Sequence, residues 1–191
     1  MNIEEFFELS TGKWFAHRTT QNITQRKSQE TKSDILIEKL PATHPEIVAL
    51  LEAYKNTSNQ FSNQVSFGVK INWHDTTKLN QKNSGFTILT ILPTLDNYNV
   101  GLWLQQTGKN NQIIAGKYNL GDDKALLLST QNDNFSLTER IWFASPNLRM
   151  RINTIEQSNG LSTAYFTSEI RMGATPPEAA KISEKMESLL S

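Results

Sequence analysis

The chain has 191 residues with nineteen basic and nineteen acidic side chains, which predicts one domain over residues 1–191 without a strong overall charge. A neutral sequence without a basic block is unsuited to binding nucleic acid or a membrane surface, and no apolar run approaches the roughly 20 residues of a membrane span. The absence of cysteine excludes disulfides and a thioether formed on this chain itself, while three scattered histidines predict no metal site. The acidic start of the chain is unlike a signal peptide, so we expect a soluble protein without an export signal.

Three segments carry apolar side chains at helical spacing. The first follows Asn2, a favourable N-cap residue, and stops before Gly12. The second has Pro45 at its first position, and the third begins at Pro177 near the end of the chain. These patterns predict helices over residues 2–9, 44–54 and 177–190.

Most of the remaining sequence has the composition and turn signals of a β protein. Ser, Thr, Asn and Gln make up about a third of the chain, and clusters of Asn, Asp, Gly, Ser and Pro separate short apolar segments. Strands follow one another from 86 to 171 without a helix, so we expect an antiparallel meander that closes into a ten-stranded up-and-down β-barrel, with a β-sandwich as the alternative. The predicted strands are 13–20, 33–40, 64–74, 86–92, 99–107, 111–119, 124–130, 135–144, 147–156 and 161–171.

Two arginines alternate with aliphatic residues between Leu148 and Ile152. Side chains two apart share one face of a strand, so Arg149 and Arg151 point the same way. If both side chains point inward, two guanidinium groups roughly 7 Å apart suit a ligand with two carboxylates. If they point outward, Leu148, Met150 and Ile152 fill the core instead, and the pattern alone favours this second interpretation.

Other polar and aromatic residues raise the same question of direction. Glu139 shares a strand face with Ile141 and Phe143, where a buried carboxylate needs a cation or a ligand. If this face points outward, Glu139 is instead a surface residue paired with an arginine. Trp73 is either a flat wall for a conjugated ligand or an ordinary core aromatic, and Arg18 on the first strand is equally ambiguous.

The Gly12-Lys13-Trp14 tripeptide ends the first helix and opens the first strand. It resembles the lipocalin signature, in which the tryptophan closes the base of the barrel. Such barrels usually stack an arginine of a late strand over that tryptophan through a cation–π contact. Arg171, at the end of the last predicted strand, is the candidate here.

Three longer stretches, at 6–20, 139–151 and 167–173, resemble the S/U-type phycobiliprotein bilin lyases (CpcS/CpeS). This is a lipocalin-like family of cyanobacteria and red-lineage plastids. The similarity covers residues 1–173, and its most specific part is W-F-A-S-P-N-L-R-M-R at 142–151. It implies a barrel of the lipocalin or fatty-acid-binding-protein type that attaches a linear tetrapyrrole, phycocyanobilin or phycoerythrobilin, to a cysteine of an apo-phycobiliprotein. The bilin is then a substrate, and no tightly bound cofactor is expected.

The resemblance also implies roles for individual residues. Arg149 and Arg151 would face inward and bind the two bilin propionates, with Arg18 as a further anchor. Glu139 would lie near the pyrrole nitrogens, hold a protonated bilin and favour thiol addition on ring A, which makes it the catalytic candidate. Trp73 would line the cavity. The remaining implied positions are Glu169 in the ligand site and Gly12, Trp14 and Arg171 at the barrel base.

Four positions depart from the pattern of the family. Gln21 and Asn22 replace two histidines, Leu79 replaces a tryptophan, and Asn153 replaces a serine. These departures favour a chain that works with a homologous lyase subunit or as a self-dimer, and the alternative function is a non-catalytic bilin carrier or helper subunit. The expected location is the cytoplasm of a cyanobacterium or the plastid stroma of a red-lineage alga. We expect loops 75–85 and 93–98 at the barrel rim to contact the phycobiliprotein.

Overall fold

Two helices and ten strands make up the described part of the chain, which covers residues 1–55, 67–78, 83–108 and 112–173 of a computed structural model. The helices are α1 (Ile3–Ser10) and α2 (Pro45–Lys55). The strands are β1 (Gly12–Asn22), β2 (Lys27–Pro41), β3 (Phe67–Asp75), β4 (Asn83–Pro93), β5 (Val100–Thr107), β6 (Ile113–Leu120), β7 (Leu126–Gln131), β8 (Phe135–Ser145), β9 (Leu148–Gln157) and β10 (Ser162–Arg171).

The ten strands form one closed antiparallel barrel. Every strand pairs with its neighbours in sequence, and β1 also pairs with β10, which closes the sheet. Trp14 on β1 therefore lies opposite Arg171 on one side and Ile35 on the other. The predicted up-and-down barrel is confirmed, and the β-sandwich alternative is wrong.

The element boundaries differ from the predicted ones mainly in β2. This strand begins at Lys27 instead of residue 33, because residues 27–32 continue the ladder with residues 17–22 of β1. The second predicted helix agrees with α2 to within one residue at each end. The helix predicted over 177–190, like residues 64–66 of the third predicted strand, lies outside the described residues.

Helix α1 closes one end of the barrel. Asn2 and Glu5 form a reciprocal capping box, in which each side chain accepts a hydrogen bond of 2.9 Å from the other backbone N–H. The buried face of the helix carries Phe6, whose ring centroid lies 5.3 Å from that of Phe143 on β8, and Phe7, which lies 5.5 Å from Phe67 on β3. Aromatic packing across opposite strands thus holds α1 as a plug under the interior.

Helix α2 packs on the outside of the barrel against β4 and β5. Its buried residues Ile47, Leu50 and Leu51 form a second apolar cluster with strand residues that point away from the interior. Gly68 makes the close approach possible, because a Cβ there would lie 2.0 Å from Cδ1 of Ile47. The helix therefore stabilises the outer wall without entering the interior.

Connections in this topology alternate between the two ends of the barrel. Residues 75–78 follow β3 at the end opposite α1, whereas residues 93–98 connect β4 to β5 at the same end as α1. The side chain of Asn99 accepts a hydrogen bond of 3.0 Å from the backbone N–H of Ile3, which fixes this second connection beside the helix. The loops predicted at the barrel rim, 75–85 and 93–98, thus begin at opposite ends, since an up-and-down barrel sends successive connections to opposite ends, and residues 79–82 of the first lie outside the described residues.

Candidate functional site

The base of the interior is built around Trp14, which is fully buried. Its indole Nε1 donates a hydrogen bond of 2.9 Å to the carbonyl oxygen of Ser10 at the end of α1. The guanidinium of Arg171 lies 4.2 Å from the ring centroid of Trp14, and it donates to the carbonyl oxygens of Leu9 and Thr11. Arg171 therefore satisfies carbonyls left free at the end of the helix while it stacks on the tryptophan.

Gly12 allows the chain to turn from α1 into β1 at this point. Its φ of +108° lies in a region that side chains disfavour. A Cβ at this position would also lie 3.2 Å from Nη1 of Arg171. The glycine is therefore required by the backbone, and a side chain here would also be in tight contact with the arginine.

An ion-pair network of four residues lies above this base on β8, β9 and β10. Glu169 accepts hydrogen bonds from Nε of Arg149 and, at 3.2 Å, from Nη1 of Arg151. Arg151 also donates through Nε, at 2.9 Å, and Nη2 to one oxygen of Glu139. The guanidinium of Arg149 lies 5.1 Å from the ring centroid of Trp14. The network thus connects the base of the barrel to its middle.

The arginines of β9 face the interior, and the aliphatic residues between them face outward. Arg149 is 5% exposed, whereas Ile152 is 42% exposed on the outer surface. The prediction from alternation alone, that these arginines face solvent, is therefore wrong. The physical reason is that Glu139 and Glu169, on the strands either side, supply the opposite charges that make burial of the arginines possible.

Burial and ion pairing have opposite effects on the titration of these groups. Burial by itself would raise the pKa of Glu169, but the charges and hydrogen bonds of Arg149 and Arg151 outweigh burial and hold that pKa below its usual value. Burial lowers the pKa of Arg149, and the neighbouring Arg151 acts in the same direction. For Arg151, burial is outweighed by Glu139 and Glu169, which raise its pKa. Glu169 is thus an ionised carboxylate between two cations.

The members of the network differ in access to the interior. The side chains of Arg149 and Glu169 are 6% and 0% exposed, so they lie behind the cavity surface. Those of Arg151 and Glu139 are 20% and 13% exposed. A ligand in the barrel would reach Arg151 and Glu139 first, with Glu169 holding Arg151 in place and Arg149, beside Trp14, holding Glu169.

A cavity of about 360 Å³ lies inside the barrel, with Arg18 of β1 and Trp73 of β3 in its lining. Arg18 is exposed to this space, and no carboxylate among the described residues pairs with it. Burial lowers its pKa and the charge of Arg151 lowers it further, although Glu139 and Glu169 oppose this. Arg18 is therefore an unneutralised cation on the cavity wall, the environment in which an anionic ligand is most favourable.

Sequence reasoning missed Tyr165. Its ring centroid lies 5.8 Å from the guanidinium carbon of Arg18, and its Cα is paired with that of Asn153 across β9 and β10. The signal was present in the sequence, because every second residue of β10 lies on the same face. The inward-facing ones are Tyr165, Thr167, Glu169 and Arg171. Asn153 also faces inward, between Glu139 and Tyr165 in the strand register.

Within the described ranges, no three His, Asp or Glu side chains gather in an arrangement that could hold a metal ion. Neither α1 nor α2 has the length and apolar character needed to cross a membrane, and no other helix occurs in this part of the chain.

Comparison with known proteins identifies the family of this barrel. The profile of the family described as CpeS-like protein matches residues 2–172. The chain belongs to the CpeS-like family. It is 39% identical over 175 residues to Chromophore lyase CpcS/CpeS 1 of Trichodesmium erythraeum (strain IMS101), covering 90% of this chain and 98% of that protein. It is 28% identical to Phycocyanobilin lyase subunit CpcS of Picosynechococcus sp. (strain ATCC 27264 / PCC 7002 / PR-6), covering 95% and 91%.

The barrel is also similar to a solved structure of the same family. The S-type phycobiliprotein lyase CPES from Guillardia theta superposes with a TM-score of 0.76 at 28% identity, covering 92% of this chain and 95% of that chain. The resemblance to the CpcS/CpeS lyases in the sequence is thereby confirmed, and the ten-stranded barrel is the architecture of this CpeS-like protein.

Proposed function

We propose that this CpeS-like protein is a chromophore lyase that binds a bilin inside its barrel and attaches it to a cysteine of an apo-phycobiliprotein. The observation that carries the proposal is the group of charged side chains Arg18, Arg151 and Glu139 inside the barrel, of which Arg18 lines a cavity together with Trp73. A bilin has two propionates, a row of pyrrole nitrogens and a flat conjugated system, and these side chains offer a partner for each. The family and its lyase-named relatives support the same assignment.

The charges of the interior fit this ligand. Arg18, Arg149 and Arg151 face Glu139 and Glu169, which leaves one net positive charge. A bilin with two ionised propionates and a protonated chromophore carries one net negative charge. We therefore assign the accessible guanidinium groups of Arg18 and Arg151 to the propionates. Arg149 and Glu169, which are buried behind Arg151, act as positioning residues in this proposal.

Glu139 is the proposed catalytic residue. One of its oxygens accepts the two hydrogen bonds from Arg151, which holds the carboxylate in a fixed orientation on β8. Its other oxygen has no hydrogen-bond partner among the described residues, so it can accept from pyrrole N–H groups, and a carboxylate there stabilises the positive charge of a protonated bilin. That charge makes the vinylic carbon of ring A more electrophilic.

The attachment itself is an addition that needs no oxidant or reductant. The sulfur of the partner cysteine forms a bond to the vinylic carbon of ring A, and the π electrons of the carbon–carbon double bond move onto the neighbouring carbon. That carbon takes up a proton, which balances the proton lost by the thiol. Because this chain has no cysteine, the thiol has to come from the phycobiliprotein.

Covalent attachment is the decisive test. The purified protein is mixed with phycocyanobilin and an apo-phycobiliprotein, and a denaturing gel is scored by zinc-enhanced fluorescence. We expect a fluorescent band above the background without protein, and its loss with Glu139→Gln although that variant still folds. Arg140→Gln is the matched control, because Arg140 is the next residue of β8 but lies on the outer face, paired with Asp123. No band with the wild-type chain, alone or with a homologous subunit, would refute the proposal.

A helper subunit is the second candidate function. The relative from Picosynechococcus is named as a subunit of a phycocyanobilin lyase, which favours an assembly of two such chains. In that case the band would require a homologous subunit, while this chain would still bind bilin by itself. We propose the cyanobacterial cytoplasm or the plastid stroma as the location of either function, which the cyanobacterial and algal origin of the relatives supports.

A further inference from the structure

Asn153 is an inward-facing amide at the level of the proposed catalytic carboxylate. In the strand register its Cα is paired with that of Glu139 on β8 and with that of Tyr165 on β10. It lies two residues along β9 from Arg151, on the same face, which is a separation of about 7 Å. Asn153 is therefore part of the wall that carries Glu139 and Arg151, one step nearer the end opposite α1.

The amide oxygen of Asn153, Oδ1, is buried and has no hydrogen-bond partner among the described residues. Buried polar atoms in proteins are almost always hydrogen-bonded, and an unpaired one destabilises the protein that contains it. Asn153 is the strand neighbour of Tyr165, whose ring lies beside Arg18 of the cavity wall, so its unpaired oxygen indicates a group whose partner comes with the ligand.

We propose that Asn153 recognises a terminal lactam ring of the bilin, an inference that rests on the proposed function. A carboxamide presents an acceptor oxygen and a donor nitrogen side by side. A lactam presents its N–H and C=O in the same way, so the two groups form a pair of parallel hydrogen bonds.

The neighbours of Asn153 fit this assignment. Arg151 takes a propionate of an inner ring, Glu139 takes pyrrole N–H groups, and Asn153 takes the lactam of an outer ring. Glu139 and Asn153 lie side by side on β8 and β9, and Arg151 lies one step nearer α1, so this wall has groups for an inner ring and for the outer ring beside it. Tyr165, on the other side of Asn153, supplies an aromatic surface beside that outer ring.

The test compares a bilin with its lactim ether, in which O-methylation removes the lactam N–H. The affinity of the full-length protein for phycocyanobilin and for the ether is measured by absorbance titration. We expect the wild-type protein to prefer the bilin about 10-fold, equivalent to about 1.4 kcal/mol. Asn153→Leu, which has similar size and no hydrogen-bonding group, should reduce the preference to about 1-fold.

Two further variants make the result interpretable. Asn153→Ser retains one hydrogen-bonding group and should show a smaller preference than the wild type, and it serves as the test variant if Asn153→Leu fails to fold. Asn119→Leu introduces the same apolar side chain on the exposed outer face of β6 and should keep the full preference. An unchanged preference in the Asn153 variants would overturn the lactam assignment while bilin binding stands. A wild-type protein that binds neither compound would overturn both.

Discussion

Replacing Glu169 by alanine removes the carboxylate shared by Arg149 and Arg151. Both arginines are held inside the barrel, and the lost side chain is fully buried. Removing one partner of a buried ion pair costs about 3–5 kcal/mol, because the remaining charge is left without compensation. The entropy of unfolding is about 2.1 cal/mol/K per residue, or about 0.4 kcal/mol/K for 191 residues. The expected fall in Tm is therefore about 7–12 °C.

The assay is thermal unfolding followed by circular dichroism, at several pH values. The pKa of Glu169 in the folded protein lies below its ordinary value, so ionised Glu169 stabilises the fold above the unfolded-state pKa of about 4.3. That stabilisation is lost as the pH falls through the folded-state pKa. The Tm difference between the wild type and Glu169→Gln should therefore be constant near pH 7 and shrink below about pH 4.

Glu30→Ala is the control for the loss of a carboxylate. Glu30 is 68% exposed and lies 3.4 Å from His17 on the outer face, so its removal should change the Tm by about 1 °C or less. If Glu169→Ala has the same Tm as this control, the charge of Glu169 does not compensate the two arginines. A Tm difference for Glu169→Gln that does not depend on pH would contradict the stated pKa direction.

Three further predictions test other parts of the barrel. Arg18→Gln should weaken bilin binding about 10- to 100-fold in an absorbance titration and leave the Tm within about 2 °C, because it removes a ligand contact and also relieves repulsion from Arg151. Gly12→Ala should destabilise the protein by about 1–3 kcal/mol in urea unfolding, since it forces a side chain into a strained backbone beside Arg171. Lys39→Ala should cost under about 1 kcal/mol in the same assay despite its two ion pairs, because both glutamates are more than half exposed.

The strand pattern predicted the barrel well because turn residues separate nearly all of its strands. The first part of β2 was not predictable in the same way. Residues 27–32 consist of Lys, Ser, Gln, Glu and Thr and show no apolar alternation. Nothing in the segment itself therefore distinguishes a strand from a loop. Its pairing with residues 17–22 of β1 makes it a strand, and that information is not local.

The direction of the side chains in the site was even less predictable from local sequence. Alternation places Arg149 and Arg151 on one face of β9, but it does not show which face is inside. The apolar residues between them favoured the wrong interpretation, in which the arginines face solvent. The direction is decided by Glu139 and Glu169, which lie on different strands and meet the arginines only in the folded sheet. The resemblance to the bilin lyases carried this tertiary information, whereas the pattern of a single strand does not contain it.

The closure of one end of the barrel by α1, Trp14 and Arg171 has a consequence for the direction in which the chromophore travels. A ligand held above a blind end has to leave by the route through which it entered. The part of the bilin that enters first is then the last to leave. In the proposed function, the terminal ring that meets the thiol of the partner is therefore decided when the bilin is loaded, before the phycobiliprotein docks. The barrel would then select the attachment end by the order of entry.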